Sequence, residues 1–299
     1  MHKILIIDQM VSAGGVERYL FGLIEGYLNM EDKSEWEITL LLRSKNSAGK
    51  KFEWPENLIN KNIKVFYIPE YDFLSKIHNK LRNAKRIYKI PLSGKLLRSM
   101  ANLLEKMFTI RVNYSGDNIK RYIEKFCKKN IFDIVFFTYP YNMFCPKIES
   151  HICIIPHDFN YKHQELGTIP SYLIPVIDEQ MVSWFANASK IIVSSNFIAN
   201  EIKEYFPKYC DKITVIRVGV SNNIKKLYHN HISVKNQAKS INGNYILTTG
   251  WIVPHKNQKI LLYALNILKD KGYDYKLIFV GPNSDLINCN DEKKIVYPY

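Results

Sequence analysis

The stretch Tyr245 to Tyr263, YILTTGWIVPHKNQKILLY, admits few folds. β-favouring residues from Tyr245 to Thr249 end at Gly250 and a short loop follows. A helical spacing of apolar residues then opens at Asn257, carried by Ile260, Leu261, Leu262, Ala264, Leu265 and Leu268. Strand, loop and helix in that order are the unit of parallel sheets, and in such sheets the loop lies at the carboxyl end of its strand, where ligands bind. His255 and Lys256 stand just before the expected helix, at the positive end of its dipole. A cation there is unfavourable by roughly 0.3 to 1 kcal/mol unless an anion joins it. Phosphate fits, because free backbone N–H groups at a helix N-terminus already point at that spot. The plain alternative is that both are solvated loop residues.

The same alternation begins the chain. Ile4 to Ile7 reads as a buried strand, followed by the loop QMVSAGGVER and a helix over Val16 to Leu28 with its apolar face at Val16, Tyr19, Leu20, Leu23, Ile24 and Tyr27. Gly14 and Gly15 sit at the turn between them, where adjacent glycines let a bulky ligand approach the backbone. The pattern is not G-x-G-x-x-G, so a nicotinamide cofactor is not indicated. Further strands are expected at Glu37 to Leu42, Lys64 to Ile68, Asp133 to Thr138, Ile152 to Pro156, Lys190 to Ser194, Ile213 to Val220, Tyr275 to Val280 and Lys294 to Tyr297. Ser195 or Asn196 is placed to cap a helix running through Glu204.

Several of these elements, in this order, resemble retaining glycosyltransferases of family 4, which have the GT-B fold of two facing Rossmann-like domains. G-W-I-V-P-H-K-N, from Gly250 to Asn257, is similar to the family's donor loop G-R-x-x-x-x-K-N. Lys256 matches the family Lys, and Trp251 stands where an Arg is usual. G-G-V-E-R resembles the family's G-G-x-E-R opening, and P-H-D-F-N-Y resembles its His-Asp after a strand of the amino-terminal domain, where the His faces the transferred sugar. I-T-V-I-R-V-G-V resembles the V-I-x-N-G-V segment that leads into the second domain, with Arg217 and Val218 in place of small or polar residues.

The resemblance implies an α/β, GT-B-like fold. Its parts would be an amino-terminal, acceptor-side Rossmann-like domain over 1–220, a linker over 221–244, and the start of a nucleotide-sugar-binding domain over 245–299. It implies transfer of a sugar from a nucleotide-diphosphate sugar to a saccharide or lipid-linked acceptor, with retention. His157 and Asp158 would be the catalytic residues; Gly14, Gly15, Gly250, Lys256, Asn257 and Arg217 would hold the donor. Whether Arg217 supplies the charge missing at Trp251 stays open. The sequence has no Asp-x-Asp pair, and Lys256, helix amides and the Gly14–Gly15 loop would stabilise the leaving phosphate where a metal otherwise does. No cofactor or metal is expected beyond the nucleotide sugar itself. The family's Glu-x7-Glu element is not found, so a truncated, weakly active or inactive enzyme is expected; an inactive paralogue is the related alternative.

Charge narrows the partners. The sequence of 299 residues carries 42 Lys and Arg against 28 Asp and Glu, a formal net charge of +14. Between Lys76 and Lys129 fifteen basic residues face three acids, so this segment holds most of the excess. The segment 74–129 reads either as a basic amphipathic face for an acidic membrane surface or as a solvated helix face over a core. A membrane-surface scaffold and a basic nucleic-acid-binding module are the alternative readings of this charge, but nucleic acid is not an expected partner, because the aromatics sit in apolar patterns rather than in stacking platforms. The start MHKILIIDQM is too short in its apolar run for a signal peptide, and no run approaches the roughly 18 residues needed to cross a bilayer. A cytoplasmic protein, peripheral on the inner membrane face at most, is expected. The cysteines, Cys127, Cys145, Cys153, Cys210 and Cys289, are odd in number and show neither a disulfide framework nor zinc spacing.

Overall fold

The computed structural model describes residues 1–9, 15–44, 54, 63–69, 116–163, 165, 169–219, 243–250 and 256–281, together with the backbone of 294–297. The chain divides into two units, Met1–Phe159 with Pro175–Asn222, and Asn160–Ile174 with Asn223–Tyr299.

The first unit is a parallel sheet. Its strands are β1 (His2–Asp8), β2 (Trp36–Arg43), β3 (Ile63–Ile68), β4 (Ile134–Phe137), β5 (His151–Ile154), β6 (Lys190–Val193) and β7 (Ile213–Val215), in the order β3-β2-β1-β4-β5-β6-β7. Its helices among the described residues are α1 (Gly15–Leu28), α2 (116–129), α3 (Ile174–Asn187) and α4 (Asn196–Tyr205). The order reverses beside β1: β2 and β3 extend to one side, β4 to β7 to the other. That reversal is the topological switch point of an open α/β sheet, the place where a crevice opens outside the carboxyl ends of the strands. Ile4 pairs with both Ile38 and Ile134, and Ile7 with both Leu41 and Phe137, so β1 is an interior strand.

An interior parallel strand is covered on both faces, which is why β1 is a continuous apolar run rather than an alternating one. On one face, Leu20, Ile24 and Tyr27 of α1 pack with Ile6, Ile38, Leu40, Leu42, Ile63 and Trp54. Beyond β4 the core is aromatic: Phe137 meets Trp184 edge-on at 4.6 Å, and Phe185 meets Phe206 at 5.0 Å. The indole N–H of Trp184 donates to the Met143 carbonyl at 2.9 Å, so this buried ring leaves no orphaned donor. Ser195 is the cap of α4: its hydroxyl accepts from the Ile198 N–H at 3.3 Å.

The second unit holds β8 (Asn244–Thr249), α5 (Lys259–Asp270), β9 (Tyr275–Val280) and β10 (Lys294–Tyr297), with the strands parallel in the order β10-β9-β8. Leu265 packs on Leu277 and Phe279 to form its core. Two expectations for α5 are corrected. The helix opens at Lys259, not at Asn257, because Asn257 takes a φ of 49°, a left-handed turn that a helix does not continue. Ile260, expected on the apolar face, is 56% exposed, and Leu265 alone of this helix is fully buried. The strand expected over Ile213 to Val220 closes at Val215, which leaves Arg217 beyond the sheet.

Candidate functional site

Three strand ends meet at the switch point, and one polar network ties them together. Asp8 closes β1 and is wholly buried, as is Thr138 just past β4. The Thr138 hydroxyl donates to the Asp8 carboxylate at 2.8 Å, and the Thr138 N–H donates to the Ile7 carbonyl at 3.1 Å. Gln9, also buried, donates through its side-chain amide to the carbonyls of Tyr139 at 2.7 Å and Tyr141 at 3.1 Å. Two consecutive residues at the end of β1 thus hold the loop that leaves β4. A buried amide and carboxylate are costly unless satisfied, and here each is spent on that loop.

The loop in turn holds the next one. His157, three residues beyond β5, donates from Nε2 to the Thr138 carbonyl at 2.6 Å. A carbonyl can only accept, so Nε2 carries the hydrogen, and in neutral imidazole Nδ1 then has the lone pair. The Tyr141 hydroxyl donates to the Asp158 carbonyl at 2.7 Å. Tyr19 of α1 meets the His157 ring edge-on at 5.6 Å, and Tyr139 lies roughly parallel to it at 6.4 Å. The imidazole is therefore fixed by one hydrogen bond and two rings.

The surroundings set the protonation states. Burial pushes His157 below the ordinary histidine value, against the opposing pull of the Thr138 carbonyl and the Asp158 and Asp8 carboxylates. Burial and the nearby Asp158 push the Tyr139 phenol up to about 12, and the Tyr141 phenol rises for the same reasons. Both phenols therefore stay protonated donors through the physiological range. Glu17, in the first turn of α1, is raised by partial burial and by Asp8, with Arg18 opposing. The result is a neutral imidazole with an acceptor nitrogen, two phenols and an exposed carboxylate, Asp158, at the mouth of a parallel sheet. Such a group of side chains suits hydroxyl-bearing ligands, whose O–H groups donate to the imidazole and accept from the Tyr139 phenol, the Tyr141 hydrogen being spent on the Asp158 carbonyl.

Of the residues singled out from sequence, His157 and Asp158 lie at this switch point, and Gly15 opens α1 in the same unit. Arg217 also belongs to the first unit and is exposed beyond β7. Gly14, Trp251 and His255 lie outside the described residues, as does most of the basic segment 74–129. Gly250, Lys256 and Asn257 belong to the second unit. Gly250, with a φ of 117°, closes β8, and its N–H donates to the Val280 carbonyl at 2.9 Å. Lys256 and Asn257 are exposed ahead of α5. A further cation, Lys259, stands in the first turn of α5, with its ammonium 5.9 Å from the centre of the Tyr263 ring.

Asp8, Gln9, Thr138, Tyr139 and Tyr141 were not among the sequence candidates. Only Asp8 left a trace, as the charged residue that ends an apolar run. Gly281 shows in the sequence only as the residue that follows an apolar run. Its φ is 152°, and it lies against the Gly250 backbone so closely that any added Cβ would collide with the Gly250 carbonyl.

No family model and no curated protein matches the chain. Solved structures do. A glycosyltransferase from Rickettsia africae ESF-5 matches with a TM-score of 0.53 at 15% identity, over 99% of this chain and 68% of that one. The catalytic domain of starch synthase IV from Arabidopsis thaliana, bound to ADP and acarbose, matches with a TM-score of 0.55 at 11% identity, over 100% and 74%. Anabaena HepE, in complex with UDP and glucose, matches with a TM-score of 0.51 at 12% identity, over 100% and 69%. The likeness is one of fold. The α/β, Rossmann-like, GT-B-like class expected from sequence is the class observed. Among the described residues no helix is long and apolar enough to cross a membrane.

Proposed function

We propose that this chain is a nucleotide-sugar-dependent glycosyltransferase of the retaining, family 4 kind, acting without a metal on a saccharide or lipid-linked acceptor. The observation that carries the proposal is His157, held neutral by burial at the switch point with a single acceptor nitrogen. That is the form an imidazole needs to take a hydrogen bond from a sugar hydroxyl. On the second unit, Lys256 and the amides of Asn257 and the α5 N-terminus are assigned to the donor diphosphate, and Gly250, whose own N–H is spent on the Val280 carbonyl, to its close approach; Arg217 of the first unit is a further candidate cation. Negative charge that builds on the leaving phosphate is stabilised there by fixed donors rather than by solvent. On the first unit, His157 and Asp158 are assigned to the sugar and Gly15 to the close approach of substrate at the start of α1. The fold shared with sugar-nucleotide enzymes supports this reading.

The first test is release of nucleoside diphosphate from UDP-, ADP- or GDP-sugars on incubation with simple saccharide and lipid-linked acceptors. Absence of release with every donor, together with no binding of UDP, ADP or GDP in calorimetry, rejects the proposal. If the donor assignment is right, Lys256→Ala weakens nucleotide-sugar binding by about tenfold or more, the effect of removing one charge-assisted hydrogen bond. Arg217→Ala weakens it comparably if Arg217 supplies the second cation; an unchanged dissociation constant removes Arg217 from the site.

An acidic membrane surface is proposed as a docking partner for the first unit. On α2 the exposed residues Arg121, Lys125, Lys128 and Lys129 fall on one side at helical spacing, opposite the buried Ile123, and Ile131 beyond them is 83% exposed. Each basic side chain near an acidic bilayer contributes about 1 kcal/mol. Replacing Lys125 and Lys128 with Gln therefore lowers sedimentation with phosphatidylserine vesicles by roughly tenfold or more at low salt. Equal sedimentation of the parent and the variant counts against a membrane role for this face.

A further inference from the structure

The chain of bonds from β1 to His157 passes through one residue. Thr138 is fixed three ways: its N–H to the Ile7 carbonyl, its hydroxyl to Asp8, and its carbonyl to His157. The hydroxyl also lies 3.3 Å from the Ile7 carbonyl. A Thr hydroxyl has one hydrogen, and the short contact to the carboxylate takes it. The peptide plane after Thr138 is held on its far side as well, since Gln9 grips the Tyr139 and Tyr141 carbonyls. The direction of the Thr138 carbonyl, and with it the ring nitrogen that bears hydrogen, is thus set from the end of β1.

We propose that Thr138, backed by Asp8 and Gln9, is a positioning residue: it selects the imidazole tautomer of His157 and so presents Nδ1 as an acceptor to a substrate hydroxyl. None of the three need touch substrate. The proposal rests on the glycosyltransferase reading for the identity of that hydroxyl, a sugar O–H, but the selection of tautomer is a property of the free protein. Valine at 138 keeps the volume and the backbone and removes only the hydroxyl, so the Asp8 carboxylate loses a donor and the carbonyl loses its fixed direction. Serine restores the donor.

The measurement is the pair of His157 ring nitrogen resonances in long-range proton–nitrogen spectra of the whole chain, taken without substrate. In the parent and in Thr138→Ser the two resonances are well separated, one bearing hydrogen and one bare. In Thr138→Val they move toward each other as the tautomers mix, and kcat falls about tenfold while the donor KM changes less than about twofold. Gln9→Met, which removes the two bonds on the far side, moves the resonances the same way and guards against a valine variant that does not fold. Unchanged resonances in both folded variants overturn the inference. Shifted resonances in a chain that turns over no nucleotide sugar uphold it and reject the functional reading alone.

Discussion

Under the proposed function, His157→Ala lowers kcat by about a hundredfold and leaves the dissociation constant of the nucleotide sugar within about twofold, because the group lost is the one assigned to the sugar and not to the diphosphate. The magnitude follows from removing one fixed hydrogen-bonding partner from a site where charge develops, worth roughly 2.7 to 4 kcal/mol. His157→Asn is the informative companion: an amide can still donate to the Thr138 carbonyl and recovers part of the ring's anchoring. A His157→Ala chain whose kcat is within threefold of the parent, in a protein that turns over, removes the residue from the mechanism.

The pH dependence of the same group has a definite sign. Burial lowers the folded-state pKa of His157 below its ordinary value of 6.5. A histidine held neutral by folding binds fewer protons in the folded than in the unfolded chain, so stability rises with pH in the window between the two values. Its contribution is fully present above the unfolded value and is lost as pH falls through the folded one. Melting temperature therefore holds level through neutral pH and declines as pH falls below the ordinary histidine value, and turnover declines as pH passes the lowered folded-state value. In His157→Ala the part of the acid-side fall in melting temperature that belongs to this residue disappears.

Much of the fold was legible because the physics that forms it is local. β1, β2, β4 and β9 are short apolar runs bounded by polar or turn residues, which is how strands buried on both faces read. The switch point followed only in outline. The alternation of strands and helices implies a parallel sheet, but no residue between Asp8 and Thr138 announces that β1 and β4 lie side by side. The hydrogen bond that joins Asp8 to Thr138 exists only after strand order is settled. His157 was found because it leaves a strand at its carboxyl end beside Asp158. Gln9 was missed because a polar residue after a strand looks the same whether it faces water or carries a loop. The start of α5 was misread for a different reason: apolar spacing reports which residues share a face, not where backbone dihedrals turn left-handed. Asn257 turns there, and Asn tolerates that region at little cost.

Gly281→Ala carries the largest expected cost to stability, about 3 kcal/mol, concentrated in the second unit. β8 and β9 run in parallel register from Asn244 opposite Tyr275 to Thr249 opposite Val280, and each is followed at once by a glycine. The Gly250 N–H donates to the Val280 carbonyl, so the two glycine backbones are drawn together one step past the last paired residues. A Cβ on Gly281 would lie 2.7 Å from the Gly250 carbonyl carbon and closer still to its oxygen, with backbone rather than a flexible side chain as the obstacle. Relief requires the strands to part at the point where the loop to Lys256 begins, which is why the same substitution is expected to weaken nucleotide-diphosphate binding more than Lys256→Ala does. Gly272→Ala separates strain from collision. Gly272 also has a positive φ, 82°, but nothing lies within 4 Å of an added Cβ. It should cost only about 1 kcal/mol, the strain of a left-handed non-glycine residue. Hydrogen exchange at the β8 and β9 amides reads the difference directly: protection falls sharply in Gly281→Ala and modestly in Gly272→Ala. Equal losses in the two variants mean that backbone strain, and not the close approach of the two strand ends, sets the glycine at 281.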